Sequence, residues 1–114
     1  MTYKEIAQMI ESIGLPFAYY SFPEKQAPPL PYIVFNYPSN DDFGADNTNY
    51  KTIVNLDIEL YTVNKDFDHE ETVEDVLKAN RLFYAKSQGY LDSEQMYEVL
   101  YEMQIPIEGE VLNG

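Results

Sequence analysis

The chain opens on a helical pattern. Ile6, Met9, Ile10 and Ile13 recur at i, i+3, i+4 and i+7, with Glu5, Gln8, Glu11 and Ser12 on the opposite side, so one face is apolar and packs on something flat. Thr2 and Glu5 stand at capping-box spacing, Gly14 offers a left-handed C-cap, and Pro16 forbids continuation. Phe17 to Phe22 is short and aromatic-rich and reads as a first strand. Pro23 to Pro31 holds four of the seven prolines and reads as a stiff, extended connector. Its Pro28-Pro29-Leu30-Pro31 matches a PxxP ligand loosely, but only Lys25 supplies a nearby basic residue, and a plain connector explains it better.

Tyr32 to Tyr37 reads as a second strand and Pro38 to Asn49 as a polar loop. Tyr50 to Val63 is the clearest strand: Val54, Leu56, Ile58 and Leu60 alternate with Asn55, Asp57, Glu59 and Tyr61, which is period two with one dry face. Asn64 to Asp68 turns into a second helix, for which Asp68 and Glu71 have capping-box spacing, Val73, Val76 and Leu77 form the stripe, and Asn80 is the C-cap. Leu82 to Tyr90 and Met96 to Ile105 form a hairpin around Asp92-Ser93. The expected fold is α+β, a mostly antiparallel sheet of about five strands covered by two helices, in the order α-β-β-β-α-β-β. Residues 1–106 form a single domain, and 107–114 are expected as a flexible C-terminal arm.

Charge sharpens this picture. Twenty acidic residues against seven basic ones leave a net charge of −13 over 114 residues. Such an excess repels nucleic-acid phosphates and anionic lipid, so neither is an expected binding partner. A solvated acidic surface accounts for most of it; a patch facing a basic partner or lining a channel accounts for the rest. The chain has no cysteine, which excludes disulfides, thiol catalysis and thiolate zinc sites and suits a reducing cytoplasm. Lys4, Glu5 and Glu11 interrupt the N-terminal stretch, so no secretory signal is expected there, and no stretch has the length of a membrane span.

Candidate chemistry is sparse. His69-Glu70 begins an HExxH motif, but Val73 stands where the second histidine belongs. Asn64, Asp66 and Asp68 imitate the first ligands of a calcium loop, yet His69 replaces its glycine and Asp75 its terminal glutamate; a helix start explains the same acids. Asp57 with Glu59, and Glu98 with Glu102, share strand faces, where solvent is expected to keep both members ionised rather than tuned for acid–base work. The glycines form no phosphate-binding or nucleophile-elbow motif. No catalytic, cofactor or metal site is expected. Eleven tyrosines and six phenylalanines exceed what so small a sheet can bury, and tyrosine is enriched at protein interfaces, which makes Tyr32 and Tyr61 candidate contacts.

Several blocks taken in order resemble a known family. Leu30-Pro31-Tyr32-Ile33-Val34-Phe35 precedes Asp42-Phe43-Gly44-Ala45-Asp46-Asn47, then Ile58-Glu59-Leu60-Tyr61-Thr62 with Lys65-Asp66, then Phe83-Tyr84-Ala85-Lys86 and Glu94-Gln95-Met96-Tyr97-Glu98-Val99. From about Tyr3 to Ile105 this resembles the small tail-completion, or tail-terminator, proteins of long-tailed phages and prophages of Gram-positive bacteria. The resemblance implies a non-enzymatic α+β structural protein, assembling into a hexameric ring that caps the tail tube and joins it to the head. It implies self, tail-tube and head-completion proteins as partners, DNA passing through without specific binding, no membrane, and a place in the host cytoplasm during assembly and then in the virion. Asp42, Phe43 and Asp46 join Tyr32 and Tyr61 as candidate interface residues. The alternatives are another head–tail connector or minor capsid protein, or a stand-alone acidic protein-binding domain.

Overall fold

The computed structural model describes residues 1–38, 40–41 and 52–107. Helix α1 (Tyr3–Ser12) starts in a complete capping box: the Glu5 N–H donates to the Thr2 hydroxyl at 3.0 Å and the Thr2 N–H to the Glu5 carboxylate at 2.9 Å. Gly14, at φ +91°, turns the chain out of the helix through a conformation that costs other residues strain. Then come β1 (Phe17–Tyr19), β2 (Tyr32–Asn36), the two-residue β3 (Asn40–Asp41), β4 (Thr52–Thr62), α2 (Phe67–Ala79), β5 (Ala85–Leu91) and β6 (Met96–Ile107). With β3 set aside, the order is α-β-β-β-α-β-β and the class is α+β.

The main strands run β1-β2-β4-β6-β5, with β3 pairing β4. The sheet is mixed rather than mostly antiparallel as the sequence suggests. β1 runs parallel to β2, Phe17 facing Ile33 and Tyr19 facing Phe35, while the remaining pairs are antiparallel. Parallel neighbours need a crossover of a dozen or more residues, and residues 20–31 supply it. Hydrogen bonds from the Tyr20 N–H to the Phe35 carbonyl (2.7 Å) and from the Ile33 N–H to the Pro16 carbonyl (2.8 Å) pin its two ends. Tyr20 turns at φ +71°, so β1 ends at Tyr19 and not at Phe22.

Both helices lie on one side of the sheet. Val54, Leu56, Ile58 and Leu60 of β4 meet Ile33 and Phe35 of β2, Val99, Tyr101, Met103 and Ile105 of β6, the α1 stripe Ile6, Met9, Ile10 and Ile13, and Val73 and Leu77 of α2 in one buried cluster. Three boundaries differ from expectation. The cap of α2 is Asp66, whose carboxylate accepts the His69 N–H at 3.0 Å, and not Asp68. After the C-cap Asn80, Arg81 sits at φ +61° and donates its N–H to the Lys78 carbonyl, while Leu82 donates to the Leu77 carbonyl; this Schellman closure uses Leu82, so β5 begins at Ala85. β6 passes Pro106 and buries Ile107, a residue the sequence assigns to the arm. Past Glu102, β6 pairs only with β4, so proline sits on an edge stretch, where it is tolerated. Residues 108–114 lie outside the described residues.

Candidate functional site

Among the described residues, the second face of the sheet carries no helix. Alternation along β4 sends Asn55, Asp57, Glu59 and Tyr61 there, and the register sets Asp57 between Asn36 and Glu102, Glu59 between Val34 and Leu100, and Tyr61 between Tyr32 and Glu98. Asp57, Glu59, Glu98 and Glu102 thus gather into one patch. Among the described residues, no basic side chain forms an ion pair with any of them. Solvent is not the only influence on Asp57 and Glu59. Burial pushes the Asp57 carboxyl above its ordinary value, and Glu102 and Glu59 push it further. Glu59 is raised too, by burial and by Glu98, against the opposing hydrogen bond from Tyr61. Directly opposed like charges on neighbouring strands repel, and partial desolvation strengthens that repulsion.

At one end the acidic patch turns aromatic. The Tyr61 hydroxyl donates to Glu59 Oε1 at 2.7 Å and lies 3.3 Å from Glu98 Oε2. Burial, then the two carboxylates, push its pKa far upward, which keeps it a donor. The Tyr32 ring lies 5.5 Å from that of Tyr61 and 5.0 Å, edge to face, from Phe22; its hydroxyl reaches Met96 Sδ at 3.8 Å. Residues 20–27 lie alongside and leave a groove of about 290 Å³ lined by Tyr20, Phe22, Glu24, Tyr32, Glu59 and Tyr61 among others. Two candidate contacts, Tyr32 and Tyr61, therefore come together. The other three, Asp42, Phe43 and Asp46, lie outside the described residues.

The sequence reading missed a second carboxylate cluster, under α2. Glu70 is 2% exposed and accepts from Lys65 at 2.7 Å and Lys86 at 2.9 Å. Lys86 also pairs with Glu74 at 2.7 Å, and the Tyr101 hydroxyl donates to Glu74 at 2.8 Å. Burial alone would raise both carboxyls, yet the lysine hydrogen bonds outweigh it and hold Glu70 and Glu74 below their ordinary values. The signal was present: position 70 precedes Val73 by three and Leu77 by seven, so it belongs to the inward stripe.

His69 stands in the first turn of α2 with Nδ1 2.7 Å from Asp66 Oδ2. Asp66, drawn down by the His69 backbone N–H and then by the ring, is occupied as a helix cap. Among the described residues, no three His, Asp or Glu side chains are grouped to hold a metal ion, and no helix is long and apolar enough to cross a membrane. At the far edge of the sheet, Phe83 is 94% exposed. With Lys78, Arg81, Leu82 and Tyr84 it lines a shallow depression of about 770 Å³.

The chain matches no protein-family model and no curated protein. Its functional reading therefore rests on the two faces of its sheet.

Proposed function

We propose that this chain is a non-enzymatic structural protein of a long-tailed phage or prophage, forming a ring that caps the tail tube and joins it to the head. The family resemblance suggests a hexamer, assembled in the host cytoplasm and carried into the virion. The observation that carries the reading is the open sheet face, where four carboxylates stand together with no cation partner among the described residues of the protomer. Such a surface repels phosphate, so duplex DNA can pass it without sticking. The Tyr32–Tyr61 groove and the exposed aromatic rings give subunit and tail-tube contacts the amphipathic surface they favour. A different head–tail connector would share this chemistry and differ only in its station.

Light scattering coupled to size exclusion, from low to about 0.15 M salt, tests the reading. Repulsion between protomers at −13 each dominates at low ionic strength and is largely screened once the Debye length falls to about 8 Å. Association is expected to rise with salt, and negative-stain images are expected to show rings, alone or on tail-tube ends. A protein that stays monomeric in every salt and leaves tube ends uncapped would remove the reading, as would tight binding to duplex DNA at 0.15 M salt.

A further inference from the structure

We propose that two surfaces of this chain are complementary across protomers: the Phe83 corner of one copy docks into the Tyr32–Tyr61 groove of the next. The inference rests on the ring reading and deepens it by naming the contact. The donor surface follows from local geometry. The Schellman closure after α2 turns Leu82 back toward the core cluster and leaves Phe83 in solvent at 94% exposure. Lys78 and Arg81 border it. Lys65 and Lys86 are engaged with Glu70 and Glu74, whereas Lys78 and Arg81 form no ion pair among the described residues. An exposed phenylalanine flanked by two such cations is a distinctive corner in a chain of net charge −13.

The acceptor has the matching character. Tyr20, Phe22, Tyr32 and Tyr61 wall the groove and Glu24 and Glu59 line it, with Lys25 its one basic lining residue. Glu98 sits against the Tyr61 hydroxyl, and Glu94 is close enough to raise the Tyr32 pKa beyond the effect of burial. Aromatic walls take a phenyl ring edge to face and a guanidinium or ammonium over a ring face, and the carboxylates accept charge-assisted hydrogen bonds from Lys78 and Arg81. At about 290 Å³ the groove is at or below the ~300–1,000 Å³ of small-molecule pockets and suits one or two side chains.

Topology then decides the kind of contact. The corner leads into β5, the strand at one edge of the sheet, whereas the groove is lined by the segment after β1, by Tyr32 and Val34 of β2, by Glu59 and Tyr61 of β4 and by Met96 of β6, so the two are different surfaces. Joining two different surfaces head to tail is heterologous: each copy then offers one unused corner and one unused groove, and the series closes into a ring where the rotation between copies allows it and otherwise runs on as an open filament. Contact pairs are screened far less than repulsion between whole protomers, so this attraction agrees with association that rises with salt.

Two variants test it, Phe83→Ser at an exposed site and Glu98→Lys beside the groove, against the Tyr61 hydroxyl, each checked for a wild-type-like circular dichroism spectrum and melt. Each alone is expected to weaken self-association by about tenfold or more. Mixed in equal amounts they are expected to give a one-to-one heterodimer through the single remaining intact corner and groove. Wild-type rings with undiminished rings of Phe83→Ser would overturn the docking and leave the ring reading standing. Folded variants that stay monomeric when mixed would overturn the pairing of these two surfaces. A groove that binds a labelled Lys/Arg-rich peptide with Phe83→Ser assembling normally would assign it to a different protein and overturn self-docking. A wild type that never associates, even on tube ends, would overturn both.

Discussion

Two pairs of carboxylates sit back to back across one sheet, and they behave oppositely. On the covered side, Glu70 and Glu74 are clamped by Lys65, Lys86 and Tyr101 and held below their ordinary values. On the open side, Asp57 and Glu59 have acids for neighbours and are pushed up. Burial acts in the same direction on all four; the partners decide the sign. The covered cluster holds α2 to the sheet, whereas the open cluster carries repulsion that a purely structural surface has no need of.

The largest test of this contrast lies in the covered core. Ile10→Asp places a charge at a fully buried position and is expected to cost roughly 4 kcal/mol or more. A thermal melt within a degree of wild type would show the α1 stripe to be unburied. Next, Lys86→Met leaves Glu70 with one cation and Glu74 with Tyr101, and is expected to cost about 2–3 kcal/mol in urea unfolding. A cost under about 0.5 kcal/mol would mean that the buried network contributes no more than a surface pair.

The open face should give the opposite sign. Asp57→Asn removes a charge facing Glu102 and is expected to stabilise by roughly 0.2–1 kcal/mol at neutral pH. The linkage follows from the two directions of shift. Raised acids destabilise fully above their folded pKa values, and the penalty disappears as pH falls to their ordinary values, 3.8 for Asp57 and 4.5 for Glu59. Lowered acids stabilise fully above 4.5, and that contribution is lost as pH falls through their folded values. Mild acidification should therefore first stabilise the protein and stronger acid destabilise it. Urea midpoints measured from pH 7 to 3 are expected to peak on the acid side of neutrality, with the rise absent in Asp57→Asn/Glu59→Gln. A double variant that keeps the full rise would place its origin elsewhere. The smallest effect concerns Arg81 at φ +61°: Arg81→Gly is expected to stabilise by about 0.5–1 kcal/mol, and a loss of stability would show that the arginine side chain outweighs its backbone strain.

Much of this layout was legible beforehand. The α1 stripe, the Thr2 box, the Asn80 cap, the alternation of β4 and the hairpin of β5 with β6 are local patterns, and local patterns survive folding here. Asp66 was missed because Asp68 and Glu71 imitate a capping box two residues later. The parallel pairing of β1 escaped because nothing in Phe17 to Phe22 tells which way the crossover returns. Alternation did place Asp57, Glu59, Glu98 and Glu102 on polar faces, but only the β4–β6 register brings them into one patch and raises two of them. Tyr32 and Tyr61, chosen for being tyrosines beside charge, meet because β2 and β4 pair at that position. Phe83 looked like strand; the helix closure that turns it outward depends on a left-handed arginine that no propensity favours.

The central β4–β6 ladder has a consequence for time as well as shape. Its pairing runs from Thr62 against Tyr97 to Thr52 against Ile107, with all of α2 and β5 lying in the chain between. α2 and the β5–β6 hairpin are made of local contacts, whose elementary formation events run on microsecond scales. The ladder that joins β4 to them must wait for a long loop to close, and loop entropy is spent before its contacts form. The β4–β6 pairing is therefore the step of highest sequence separation in the middle of the sheet, and its closure weighs on the folding rate more than on the stability.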